Sequence, residues 1–212
     1  MRRIGTVLFS VAALTVVSAA AAQSAAAPTL ATSANAIEFG SSITLHGSAP
    51  GAAAGDEVQI LMQACGFTGP VPVGHAKATA QATYSYTLQP LLNATIEVQV
   101  GDETSNAARV TVRPLVQVRS SGHGSFRVDV SVGNGAFFTK TVSLQRYDRV
   151  TKSWKLIGSA TLKANSDPGA LVAVSSATVH ARVAQGSKVR AVVSQATVGS
   201  CYRPSTSASI TA

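Results

Sequence analysis

The chain has 212 residues, with 17 Lys and Arg against 9 Asp and Glu, and a formal charge of +8. Only 12% of residues are charged and 5% aromatic, while Ala, Val, Ser, Thr and Gly dominate. Such a composition argues against long charged helices and suits many β-strands built on Val, Ile and Thr.

The first elements form a leader. Arg2 and Arg3 give a positive start, Ile4 to Val17 is almost wholly apolar, and small residues run from Ser18 to Ala27. This order predicts a secretory signal peptide over residues 1–27, cleaved near 22–27. A membrane anchor would want about 20 strongly apolar residues, and this run is shorter and ends in Ala and Ser. No Cys lies near the cleavage region to carry a lipid, and no apolar segment closes the C-terminus. The mature chain is therefore expected outside the cytoplasm, secreted or in the cell envelope, with no integral membrane span.

Charge divides the remainder. From Pro28 to Arg113 there are three basic residues (Lys77, Arg109, Arg113) and six acidic ones (Glu38, Asp56, Glu57, Glu97, Asp102, Glu103), a net of −3. From Pro114 to Ala212 there are twelve basic residues and three acidic ones (Asp129, Asp148, Asp167), a net of +9. The split predicts two units, an acidic domain over 28–113 and a basic one over 114–212, joined by a short, semi-rigid linker at Arg113-Pro114.

Strand signals then recur every ten to fifteen residues. In the acidic half they are Ser41 to His46, Asp56 to Met62 with Val58, Ile60 and Met62 on one face, then Tyr84-Tyr86-Leu88, Ile96-Val98-Val100 and Val110-Val112. Pro50-Gly51, Gly69-Pro70, Pro90 and Gly101-Asp102 punctuate them. In the basic half Phe126, Val128, Val130 and Val132 alternate with polar partners, and Gly133-Asn134-Gly135 reads as a turn. Thr141 to Arg146, a hairpin partner holding Trp154 and Leu156, Leu171 to Ala177, Val189 to Val193 and Ser205 to Ile210 follow. Period-two alternation broken by Gly, Pro and Asp marks half-buried antiparallel strands. No useful stretch beyond the leader shows a helical period. The spacing repeats between halves, 17 positions from Ile43 to Ile60 and 18 from Phe126 to Leu144. A duplicated seven-strand sandwich is the expected architecture.

Ser143-Leu144-Gln145-Arg146, Ser153-Trp154-Lys155 and Val189-Arg190-Ala191-Val192-Val193 together resemble the immunoglobulin-like repeats of secreted bacterial, especially actinobacterial, proteins. The first half is similar but lacks the Trp and the Gln-Arg pair. The resemblance covers most of the mature chain. It implies an all-β fold of two tandem immunoglobulin-like β-sandwiches after the signal peptide, and an extracellular setting. It carries no catalytic residue, since that family shares no active site.

Cys65 and Cys201 fall in different halves, so a core disulfide within one domain is ruled out. The strand directions put Cys65, at the end of the third strand of the first sandwich, and Cys201, in the last loop of the second, at the domain junction. An interdomain bridge is expected there; two free thiols or an intermolecular pair are the alternatives.

Chemistry-bearing patterns are sparse. His46, His75, His123 and His180 show no zinc spacing with one another or with the cysteines, and Met62 is the single Met beyond the leader, which suits copper poorly. His46 reads as a sandwich-surface residue, and Gly122-His123-Gly124 as a loop. There is no G-x-S-x-G elbow, no H-E-x-x-H and no Gly-rich phosphate loop opening a helix. Asp56-Glu57 and Asp102-Glu103 read as solvated turn pairs rather than the facing carboxylates of a glycosidase. No enzymatic activity, metal or cofactor is expected.

Arg146, Arg149, Lys152 and Lys155 cluster on one hairpin near Trp154, with Lys188, Arg190 and Arg203 on or near the last two strands. Such a field attracts polyanions. Outside a bacterium these are wall polymers of the teichoic type, anionic lipid headgroups or host glycans rather than nucleic acid. The competing reading is ordinary solubility and protection of sheet edges by Lys and Arg. The function expected from sequence is a non-catalytic binding or surface-structural role, carried by a monomer. Its partner is a protein or an anionic cell-envelope polymer, the polymer held electrostatically by domain 2. The alternatives are a periplasmic assembly chaperone, whose alternating edge-strand motif with an Arg/Lys anchor is not evident, and an accessory module of a cell-wall enzyme.

Overall fold

A computed structural model describes residues 26–212 apart from 134, 136 and 167–169. The predicted leader thus lies outside the described residues but for its last two positions, as does Asn134 of the predicted turn.

Nine strands precede Pro114: β1 (Ala31–Thr32), β2 (Ala36–Glu38), β3 (Ile43–Ser48), β4 (Glu57–Ala64), β5 (Val71–Lys77), β6 (Thr83–Leu88), β7 (Ala94–Val100), β8 (Glu103–Thr104) and β9 (Ala108–Arg113). Nine more follow it: β10 (Leu115–Ser120), β11 (Ser125–Gly133), β12 (Thr141–Asp148), β13 (Ser153–Thr161), β14 (Lys163–Ala164), β15 (Val172–His180), β16 (Lys188–Val193), β17 (Ser205–Thr206) and β18 (Ile210–Thr211). A single turn of helix, α1 (Gln195–Val198), sits between β16 and β17, its first turn capped by Ser194.

The strands make four sheets. One runs β1-β3-β6; another runs β2-β9-β7-β4-β5, with β8 on β7. The third runs β10-β11-β15-β14, and the fourth β13-β12-β16-β17, with β18 on β16. Among the described residues every ladder is antiparallel except β2 with β9, and none joins a strand before Pro114 to one after it.

The alternation read from the sequence sets the faces. Val58, Ile60, Ile96, Val98, Val110 and Val112 are buried from one sheet, Ile43, Leu45, Tyr84 and Leu88 from the other. Beyond Pro114, Phe126, Val128, Val130 and Val132 of β11 face inward, as do Val142, Leu144, Val189, Ala191 and Val193. Each buried Val, Leu, Ile or Phe side chain among them contributes roughly 1.5–3 kcal/mol by leaving water.

Nine strands per half exceed the expected seven: β1, β2, β8 and β14 are only two or three residues long, β5 lacks a clean signal, and β10 was overlooked although Val116 and Val118 alternate with Gln117 and Arg119. β5 carries Pro72 and Gly74, both poor strand residues. The strand expected from Leu171 to Ala177 runs instead from Val172 to His180 in register with the whole of β11.

Two buried tyrosines tie remote segments together. Tyr84 donates its hydroxyl to the Thr29 carbonyl at 2.6 Å, and Tyr202 donates to the carbonyl of Gly133. Burial raises both hydroxyls from the ordinary 10.0 to about 12. An unfolded chain ionises them near pH 10, so their contribution is complete below that pH and is lost as pH climbs toward 12. Urea midpoints should therefore fall between pH 10 and 12 more steeply than in a Tyr84→Phe/Tyr202→Phe protein. Parallel pH profiles for the two proteins would refute this assignment.

Candidate functional site

The halves meet at a locked junction. Cys65, one residue past β4, is bonded to Cys201 in the loop after α1, with Cα atoms 5.2 Å apart. The Cys65–Cys201 pairing expected from strand direction is the observed one. A disulfide is stable in oxidising compartments outside the cytoplasm, which is the setting the bridge indicates.

Asn93, in the loop before β7, is the second fastener. Its Nδ2 donates to the Ser200 carbonyl (3.0 Å), its backbone N–H to the Cys201 carbonyl (3.0 Å), and its Oδ1 accepts from Val112 N–H (2.7 Å). Arg203 N–H donates to the Val112 carbonyl and Ser205 Oγ to that of Pro114. Phe39 and Leu91 press on Gly133 so closely that a Cβ there would sit 2.7 Å from Leu91 Cβ. Within the second half Phe137 packs edge to face on Tyr202, 5.6 Å between centroids. Pro114 alone separates β9 from β10.

At the other end of the second half lie the turns 121–124, 149–152 and 181–187, and here the predicted basic residues gather. Arg146 on β12 pairs across the ladder with Lys155 on β13, and Arg149 and Lys152 are exposed in the intervening turn. Arg149 Nη2 donates to the Gly186 carbonyl at 3.4 Å. Lys152 takes the left-handed backbone (φ 49°) that closes the turn. Arg146 and Arg149 line a groove of about 530 Å³ against Ala184–Ser187.

The one carboxylate on this hairpin is turned inward on itself. Asp148 accepts from Val150 N–H (2.9 Å) and Thr151 N–H (3.3 Å), and these bonds hold its pKa below the ordinary carboxylate value, with Lys155 adding to the effect. Among the described residues, Arg146, Arg149, Lys152, Lys155, Arg182 and Lys188 form no ion pair; Asp129 is taken by Arg127 (3.0 Å) and Arg119 (3.9 Å).

Two sequence expectations about this cluster change. Strand alternation turns Tyr147 and Trp154 to the face opposite Arg146 and Lys155. On that face Tyr147 packs on Trp154 (5.3 Å), and Arg190 lies 4.2 Å over the indole with Nε donating to Gln145 Oε1 at 2.9 Å. Arg190 is thus engaged, and Arg203 belongs to the junction. Arg182 was missed: it follows Ala181 at the exit of β15, and only the fold brings that turn beside 149–152.

The acidic pairs occupy the far end of the first half. Asp56 Oδ2 accepts from Ala53 N–H (2.7 Å), Glu57 pairs with His75 (2.9 Å), and Asp102 and Glu103 are exposed. Charge therefore runs from acidic to basic along the chain's two locked halves.

His46 is exposed, and Gly122-His123-Gly124 forms a tight left-handed turn, φ 83°, 50° and 71°. His180 Nδ1 lies 3.0 Å from Ser125 Oγ, but no carboxylate orients this exposed pair among the described residues. Nor do three His, Cys, Asp or Glu side chains gather there at metal-binding distance. No helix among the described residues is long and apolar enough to cross a membrane.

Compared with known proteins, the chain matches no family model and no curated sequence at a significant level.

Proposed function

We propose that the chain is an exported, non-catalytic protein of two tandem immunoglobulin-like domains that binds an anionic cell-envelope polymer through the remote end of its second domain. The carrying observation is the set of unpaired bases there, Arg146, Arg149, Lys152, Lys155, Arg182 and Lys188, with their one local acid, Asp148, absorbed by its own turn. A structural surface of alternating signs would spend these charges on neighbours; here none has an acidic partner among the described residues and all but the half-buried Arg146 face solvent, so their fields add.

The immunoglobulin-like reading draws on strand order. In each half the ladder β4-β7 or β12-β16 is flanked outside by the hairpin partner β5 or β13, while β3-β6 or β11-β15 forms the facing sheet. Both hairpins carry a register irregularity at the same place, Ile60/Leu61 and Leu144/Gln145. A leader on residues 1–27 and an oxidised cysteine pair are consistent with export.

Retention of the protein on purified cell wall should be strong at about 0.01 M salt and lost toward 1 M, as the screening length contracts from roughly 30 to 3 Å. Neutralising Arg146, Arg149, Lys152 and Lys155 with Gln should weaken it about tenfold or more, each exposed contact contributing up to ~1 kcal/mol. Equal, salt-insensitive recovery of both proteins would make the basic end ordinary surface.

A further inference from the structure

The first half carries a groove that the basic end does not account for. Gln63 on β4, Thr95 on β7 and Arg109 on β9 are successive partners across three strands, so their side chains form one row on the outer face of the sheet. Strands lie about 4.8 Å apart, which spreads an amide, a hydroxyl and a guanidinium over roughly 10 Å. One end of the row is walled by Phe67, 57% exposed on the turn after β4. The groove is open to solvent and measures about 350 Å³, at the lower end of the volumes of small-ligand sites.

The wall is fixed in place. Gln63 Nε2 donates to the Phe67 carbonyl (3.2 Å), Phe67 N–H to the Ala64 carbonyl (3.1 Å), and Cys65 between them is held by the disulfide and by its N–H to the Asn93 carbonyl (2.8 Å). Gln63 therefore presents its Oε1 to the groove as an acceptor. Arg109 is exposed and forms no ion pair among the described residues, whereas Arg113 is paired with Glu38.

A forked cation at one end, a hydroxyl and amide oxygen in the middle and an aromatic wall match one ligand chemistry. A carboxylate takes the guanidinium in a bidentate fork, ring hydroxyls meet Thr95 and Gln63, and the apolar C–H face of a pyranose packs on Phe67. We propose that this groove binds a carboxylated sugar residue of an acidic polysaccharide. The site is separate from the basic end and does not depend on it.

The test is titration of the purified, disulfide-bonded protein with trigalacturonate, followed by amide chemical shifts. Saturable shifts should appear at Gln63, Phe67, Thr95 and Arg109. Both Arg109→Gln in the protein and methyl esterification of the sugar should weaken binding about tenfold or more, the loss of one charged hydrogen-bonded fork. The variant with Arg146, Arg149, Lys152 and Lys155 neutralised should bind as the parent does. The proposal is overturned by an absence of shifts at about 10 mM sugar, weaker than any useful affinity, or by undiminished binding of the ester or of Arg109→Gln. Shifts confined to residues 146–155 would also overturn it, while leaving the basic-end reading intact.

Discussion

Loss of the Cys65–Cys201 bridge should lower stability by about 2–5 kcal/mol, the largest single effect expected of any change at the junction. The bond closes 136 residues, and the chain-entropy argument grows with loop length, reaching about 5 kcal/mol for so long a loop. The comparison should use Cys65→Ser/Cys201→Ser, which leaves no free thiol, beside the oxidised parent in urea. Asn93 and the Arg203 N–H to Val112 carbonyl bond remain in the variant, so the folded junction should persist while the unfolded chain gains freedom. A midpoint change worth under about 1 kcal/mol would mean that the bridge joins segments already close in the unfolded ensemble. The same double variant should loosen Phe67, whose turn the bridge anchors, and so weaken the groove more than the basic end.

The sequence made the β-class and most inward faces legible for a simple reason. Val58-Ile60, Ile96-Val98 and Phe126-Val128-Val130-Val132 alternate with polar residues over lengths that suit only a half-buried strand. Short edge strands such as β1, β2 and β14 bury little, so selection leaves no alternation to read. β5 was hidden by Pro72, tolerated because the outer edge of β5 needs no partner, and by Gly74, where the Tyr86 ring leaves no room for a Cβ. The disulfide could be placed because strand direction alone decides which loops share an end of a sandwich.

The site was less legible. Arg146, Arg149, Lys152 and Lys155 are close in sequence, and a hairpin keeps them close in space. Alternation nevertheless separated them from Trp154. Arg182 joins them, and Arg203 leaves them, through loops whose mutual approach is a tertiary fact. Asn93 and the row Gln63-Thr95-Arg109 were invisible for the same reason: three residues on three strands become neighbours only when register is known. Nothing in a lone Asn after Leu91-Leu92 announces that it will hold Ser200.

Phe126→Ala should cost about 3–5 kcal/mol, the usual loss for a large aromatic removed from a packed interior. Phe126 is 1% exposed on β11, opposite Val179 of β15. Where that loss is felt tests the division into two domains. Among the described residues all ladders stop at Pro114, which favours separate cooperative units, yet the buried apolar residues of both halves form one continuous cluster. Amide exchange on the Cys65→Ser/Cys201→Ser background separates the two possibilities, because there only packing and hydrogen bonds couple the halves. With two units, protection should fall for β11, β12, β15 and β16 and stay unchanged for β3, β4 and β7. An equal fall in both sets would make the chain a single cooperative unit and would sink the tandem-domain reading, whatever the strand order suggests. The ladder pattern weighs toward the first outcome, because among the described residues each half pairs its strands only with strands of its own.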